Sequence, residues 1–90
     1  MKVENIESSK GNKIANQFII TDDNGNEFFQ SYNSIIVKKD SSADTIYLDK
    51  KYWNYSNTTG KYRNIFLDEN ITETKNKIKS GEYILTDLNK

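Results

Sequence analysis

Asn24-Gly25 separates two runs of bulky side chains, Ile14–Thr21 before it and Asn26–Tyr32 after it. Asparagine and glycine take positive φ at low cost, so this pair between apolar runs is the strongest short-range hairpin signal a sequence carries. The expectation is a type I′ turn at Asn24-Gly25. In the returning strand Phe28, Gln30 and Tyr32 then face one side of the ribbon, and Phe29 and Ser31 face the other.

The remaining elements follow from local pattern. Val3 and Ile6 mark a short, weakly ordered first strand within residues 1–12, closed by the turn-prone run Ser8–Asn12. Ile35-Ile36-Val37 and Thr45–Leu48 read as a second hairpin across a polar loop. Beyond Asp49 the period changes: Tyr62, Ile65 and Phe66 fall at i, i+3 and i+4, which predicts a helix with Thr58 or Thr59 as its cap. Gly60 weakens that helix by up to about 1 kcal/mol. A second helix is predicted from a cap at Thr72 to Gly81, with Glu73 in its first turn and Lys75, Lys77 and Lys79 toward its end. Tyr83–Leu88 then reads as a final strand. The fold class is α+β: a small antiparallel sheet of about five strands with two short helices, in the order β-β-β-β-α-α-β, forming a single domain over residues 1–90.

Ninety residues supply one modest core, because a chain of this size buries about two thirds of its surface on folding. The hydrophobic fraction is only 34%, yet the 12% aromatic content and zero net charge favour order over disorder. Thirteen basic residues balance thirteen acidic ones, which removes the broad positive field of a sequence-independent nucleic-acid or membrane-surface binder. Cysteine and histidine are absent, and with them thiolate chemistry and the commonest general base and metal ligand. We therefore assign no catalytic residue, no metal site and no cofactor, and expect a protein that is not an enzyme. The N-terminal run lacks the apolar core of a secretory signal, and no segment approaches the roughly 18 apolar residues of a membrane span. A cytoplasmic protein without membrane contact is expected.

The most unusual segment is Lys51–Leu67, which gathers the single Trp, the single Arg and three tyrosines. Trp, Tyr and Arg dominate binding hot spots because they join large buried area to directed polar contacts. Candidate partner-binding residues are Lys51, Tyr52, Tyr55, Lys61, Tyr62, Arg63 and Asn64. The competing reading places Trp53, Tyr62 and Phe66 in the core. Lys51, Lys61 and Arg63 could also meet phosphates while Tyr52 or Tyr55 stacks on a base, which keeps a small nucleic-acid-binding regulator as the alternative. Asp49, Asp68 and Glu69 dilute that field. Ser56–Lys61 lacks the glycine and Lys-Ser/Thr order of a phosphate-binding loop, and Asp22–Glu27 lacks the terminal Glu of a calcium loop. Turn and cap formation account for both runs.

Phe29-Gln30-Ser31-Tyr32, Tyr47-Leu48-Asp49, Gly81-Glu82-Tyr83 and above all the Y-S-x-T-T-x-K-Y-R-N-x-F-L string from Tyr55 to Leu67 carry a further signal. Over roughly residues 17 to 89 the chain resembles a family of small uncharacterised proteins from Gram-positive phages, plasmids and integrative elements. The resemblance implies a setting rather than an activity. Small accessory proteins of mobile elements often block host defence by binding it, so the implied function is an inhibitor of anti-CRISPR or anti-restriction type. Its implied partner is a host protein such as a defence nuclease or effector complex in a bacterial cytoplasm. Self-association through a strand edge, giving a homo-oligomeric structural accessory, is the third reading.

Overall fold

The runs on either side of Gly25 form strands β2 (Lys13–Thr21) and β3 (Glu27–Ser31) in a computed structural model, which describes residues 1–89. Their register joins Thr21 to Glu27, Ile20 to Phe28 and Ile19 to Phe29. The turn is wider than the expected type I′. Gly25 takes positive φ (83°) while Asn24 does not, and the Asp22 N–H to Asn26 carbonyl bond (3.0 Å) closes the loop. Asp22 is the reason: its carboxylate accepts the N–H groups of Asn24 and Asn26, each at 2.9 Å, and the Asn26 side-chain amide. Such local side-chain bonds stabilise a longer loop than the two central residues alone would form.

Strand β1 (Lys2–Glu7) pairs antiparallel with β2, and β4 (Ser34–Asp40) and β5 (Thr45–Asp49) extend the sheet on the other side of β3. Helices α1 (Asn57–Leu67) and α2 (Ile71–Ser80) follow, and β6 (Tyr83–Thr86) completes six strands in the spatial order β1 to β6. The element order is thus β-β-β-β-β-α-α-β, an α+β fold with one more strand ahead of the helices than expected. The additional strand is the N-terminal one expected only as weakly ordered and left out of the predicted order: Lys2–Asn5 pair residue by residue with Phe18–Thr21. The sheet is also not wholly antiparallel, since β6 runs parallel to β5. The two helices supply the long crossover that a parallel pair requires.

Both helix starts lie upstream of their predicted caps. Ser56, in extended conformation, accepts the Thr59 N–H at 3.1 Å and caps α1, which leaves Thr59 free to bond Ser31. Asn70 caps α2 in a reciprocal box with Glu73, which leaves Thr72 exposed in the first turn. Gly81 ends α2 at φ 87°, the left-handed conformation in which glycine escapes a Cβ clash.

Alternation gives the sheet two unlike faces. One face carries Phe29, Val37 and Leu48, all fully buried, and receives α1 through the stacked Phe29 and Phe66 rings (5.9 Å) and the buried Ser31–Thr59 hydroxyl pair (3.0 Å). Ile19, Ile46, Trp53, Tyr62, Leu67 and Ile78 extend this core. Ile36 joins it through a bulge, because Phe29 pairs with Val37 while Gln30 pairs with Ile35, leaving one extra residue on β4. Beyond β6, Asn89 pairs with the backbone of Ile35 through both atoms of its amide, at 2.7 and 2.8 Å.

Candidate functional site

Asp49 at the end of β5 organises the aromatic segment. Its buried carboxylate accepts the N–H groups of Lys51 (3.1 Å), Tyr52 (2.8 Å) and, from the far end of the chain, Leu88 (2.8 Å). Burial pushes its pKa up, but these donors outweigh that and hold it below the ordinary carboxylate value. The turn so fixed presents Tyr52 edge-on to Tyr55 (5.4 Å between rings), with the Lys51 ammonium 5.3 Å from the Tyr52 ring. Tyr55 is 54% exposed, whereas Tyr52 lies half-buried against the core.

The rest of the predicted set divides differently. Lys61 is exposed, Asn64 is half-buried, and Tyr62 packs against the core with Lys61 beside its ring. Arg63 does not stand at a contact surface: it is 1% exposed. Its Nη1 donates to the Trp53 carbonyl at 2.6 Å, and its guanidinium lies 5.4 Å from the Trp53 ring. The physical reason is helical phase. Arg63 falls three and four residues after Gly60 and Thr59 and three before Phe66, all buried, so it shares their inward face. Ile65, expected on the inner face, is 55% exposed for the same reason.

The feature that the residue-type reading missed is the second face of the sheet. Pairing places Val3, Ile20, Phe28, Lys38, Tyr47 and Ile84 in one row, one residue per strand, on the face opposite both helices. Val3 and Ile84 at the ends are 58% and 43% exposed, and the row lies outside the core cluster. Lys38 sits at its centre, 5.9 Å from the Phe28 ring and 6.0 Å from the Tyr47 ring, and pairs with Asp40 at 3.6 Å. A signal was present: consecutive bulky residues at Phe18-Ile19-Ile20, Phe28-Phe29 and Ile35-Ile36-Val37 put apolar surface on both faces. Two short helices cannot cover both.

Among the described residues, no group of three or more acidic side chains is arranged to hold a metal ion, and no helix is long and apolar enough to cross a membrane. A family of unknown function (DUF8033) matches residues 1–83, and the chain belongs to that family. No curated protein and no solved structure matches it.

Proposed function

We propose that this member of a family of unknown function works by binding another protein through the bare face of its sheet. The row from Val3 to Ile84 carries that reading. Its five apolar or aromatic side chains span six strands, about 24 Å at the usual spacing. Val3 and Ile84 are exposed at its ends, and Ile20, Phe28 and Tyr47 lie half-buried between them on either side of Lys38; apolar surface shared between strands and left without a covering helix marks an interaction face. A partner surface that fits presents an apolar strip and a carboxylate to meet Lys38. The exposed Tyr55 and Lys51, with Tyr52 beside them, form a second aromatic contact of the kind that anchors interfaces.

The setting is taken from the resemblance of the Tyr55–Leu67 string to accessory proteins of phages, plasmids and integrative elements. In that setting the protein acts in a bacterial cytoplasm as an inhibitor of a host defence system, holding a defence nuclease or effector complex by stoichiometric binding without catalysis. The test is an affinity capture of the tagged protein from host lysate, with and without nuclease, alongside a Val3→Glu, Ile84→Glu double variant. Support is a stoichiometric protein that survives nuclease treatment and is lost with the double variant. A partner held equally by the variant, or one lost on nuclease treatment, overturns the docking face. The second result would favour the nucleic-acid reading.

A further inference from the structure

Strand β1 is one border of the sheet. It is bonded to β2, and among the described residues no backbone hydrogen bond reaches its other edge. The N–H and C=O groups along an open edge are a template on which another strand adds. Charged side chains commonly guard such an edge, and β1 carries Lys2, Glu4 and Glu7. Charges guard it only if they meet their like, and in β1 their order leaves one pairing with a second copy in which they do not.

A second copy extends the sheet without turning it over when a two-fold axis stands perpendicular to the sheet. The two β1 strands then run antiparallel and keep their faces, so each residue meets only residues of its own parity. An axis at Lys2 or at Glu4 sets like charges directly opposite, which is destabilising. An axis at Asn5 runs the pairing into the register shift between Asn5 and Glu7, where the bulge bends the strand. An axis at Val3 sets each Lys2 opposite Glu4 of the other copy and the two Val3 side chains against each other, with residues 1–5 overlapping. Within one chain Lys2 Nζ already stands 3.4 Å from Glu4 Oε1, and the two side chains are 71% and 55% exposed.

We infer that two copies of this chain pair edge to edge through β1, antiparallel and centred on Val3, joining two six-stranded sheets into one. Two Lys2–Glu4 pairs lie on one face of the joint and the Val3 pair on the other. Val3 also ends the row that runs through Ile20, Phe28, Lys38 and Tyr47 to Ile84 on the bare face, so the rows of the two copies meet across the axis. Its 58% exposure is surface that the second copy covers. Pairing over so few residues buries little area, which places the dimer in the weak, concentration-dependent class. It forms whether or not another protein docks on the bare face.

The test is sedimentation equilibrium of the full chain over a concentration series up to about 1 mM, where small interfaces associate. The expected result is a reversible monomer–dimer equilibrium that added salt weakens. Lys2→Glu and Glu4→Lys each place like charges across the axis, and each should raise the dissociation constant at least about tenfold with an unchanged circular dichroism spectrum. An equimolar mixture of these two variants should dimerise again, because every charge then meets its opposite. Opposed residues of an antiparallel pair lie about 4.5 to 5.5 Å apart at Cα, within disulfide reach. In this chain without cysteine, Val3→Cys should therefore cross-link on oxidation, and Ile84→Cys at the far end of the row should not. A protein that stays monomeric throughout, a dimer indifferent to both charge variants, or a mixture that fails to re-form it overturns the inference. So does assembly beyond the dimer, which would mark head-to-tail pairing of β1 with β6.

Discussion

The hydroxyl of Tyr83 donates to the carboxylate of Glu69 at 2.7 Å, tying the last strand to the link between the helices. Glu69 is a hub: its side chain is 2% exposed, and it also accepts from Lys77 Nζ at 2.8 Å and from the Thr74 hydroxyl at 2.5 Å. Tyr83 is itself core, at 4% exposure, so the carboxylate fixes β6, the strand that joins the sheet after the helices.

Removing the hub should therefore loosen α2 and β6 together. We expect Glu69→Ala to lower the unfolding free energy by about 3 kcal/mol, because it strands buried donors. Tyr83→Phe should cost about 1 kcal/mol, the usual net value of one hydrogen bond. Urea unfolding of both variants checks the ranking, and an equal loss would show that the carboxylate has no hub role.

Stability should fall at both ends of the pH scale, for opposite reasons. Burial pushes the pKa values of Asp49 and Glu69 up, but the donors around each outweigh it, so both stay below the ordinary carboxylate value. Their contribution is complete above that ordinary value and disappears as pH falls through the folded values. Tyr83 is pushed up to about 12, first by burial and then by its bond to Glu69. Its contribution is complete below the ordinary tyrosine value of 10.0 and is lost as pH rises toward about 12. Urea midpoints across the range test this, and Tyr83→Phe should flatten the alkaline limb.

Gln17 is fully buried on the helix-covered face, and neither its amide oxygen nor its amide nitrogen has a partner. Gln17→Leu, of similar volume, should raise stability by about 1 to 2 kcal/mol by removing an unsatisfied amide. A melting temperature that falls instead would show that the amide is satisfied in solution.

Tyr32 links β3 to β4 at φ 56°, with its ring 46% exposed. A bulky residue is strained there, and its N–H bond to the Asn16 carbonyl (2.7 Å) holds it in place. Tyr32→Gly should stabilise by about 1 kcal/mol, since glycine takes this conformation without a Cβ clash. Thermal melts compare the two proteins. A loss would mean that ring contacts outweigh the strain.

Short-range physics made much of this protein legible from its residues. The strands flanking Gly25 follow from alternation and a turn residue, and Gly81 ends α2 because positive φ there suits glycine. The cap positions slipped by two or more residues because Ser56 and Asn70 compete with nearby Thr58 and Thr72 for the same role, and only the backbone decides between them. The candidate site was half legible. The aromatic and basic residues of the Lys51–Asn64 segment do gather around Asp49 and the start of α1, but which of them face water depends on what lies across from each. Arg63 faces Trp53 because its helical phase follows Thr59 and Gly60, and no residue-type rule carries that information. Neighbours a few residues apart were thus enough to read the strands, the helices and the alternation within the central hairpin, because turn residues and side-chain period act locally. That the helices cover one face and leave the other bare of them, that β6 returns parallel beside β5, and that the Arg63 guanidinium is buried came out of the folded chain alone, because each depends on contacts between segments far apart in sequence.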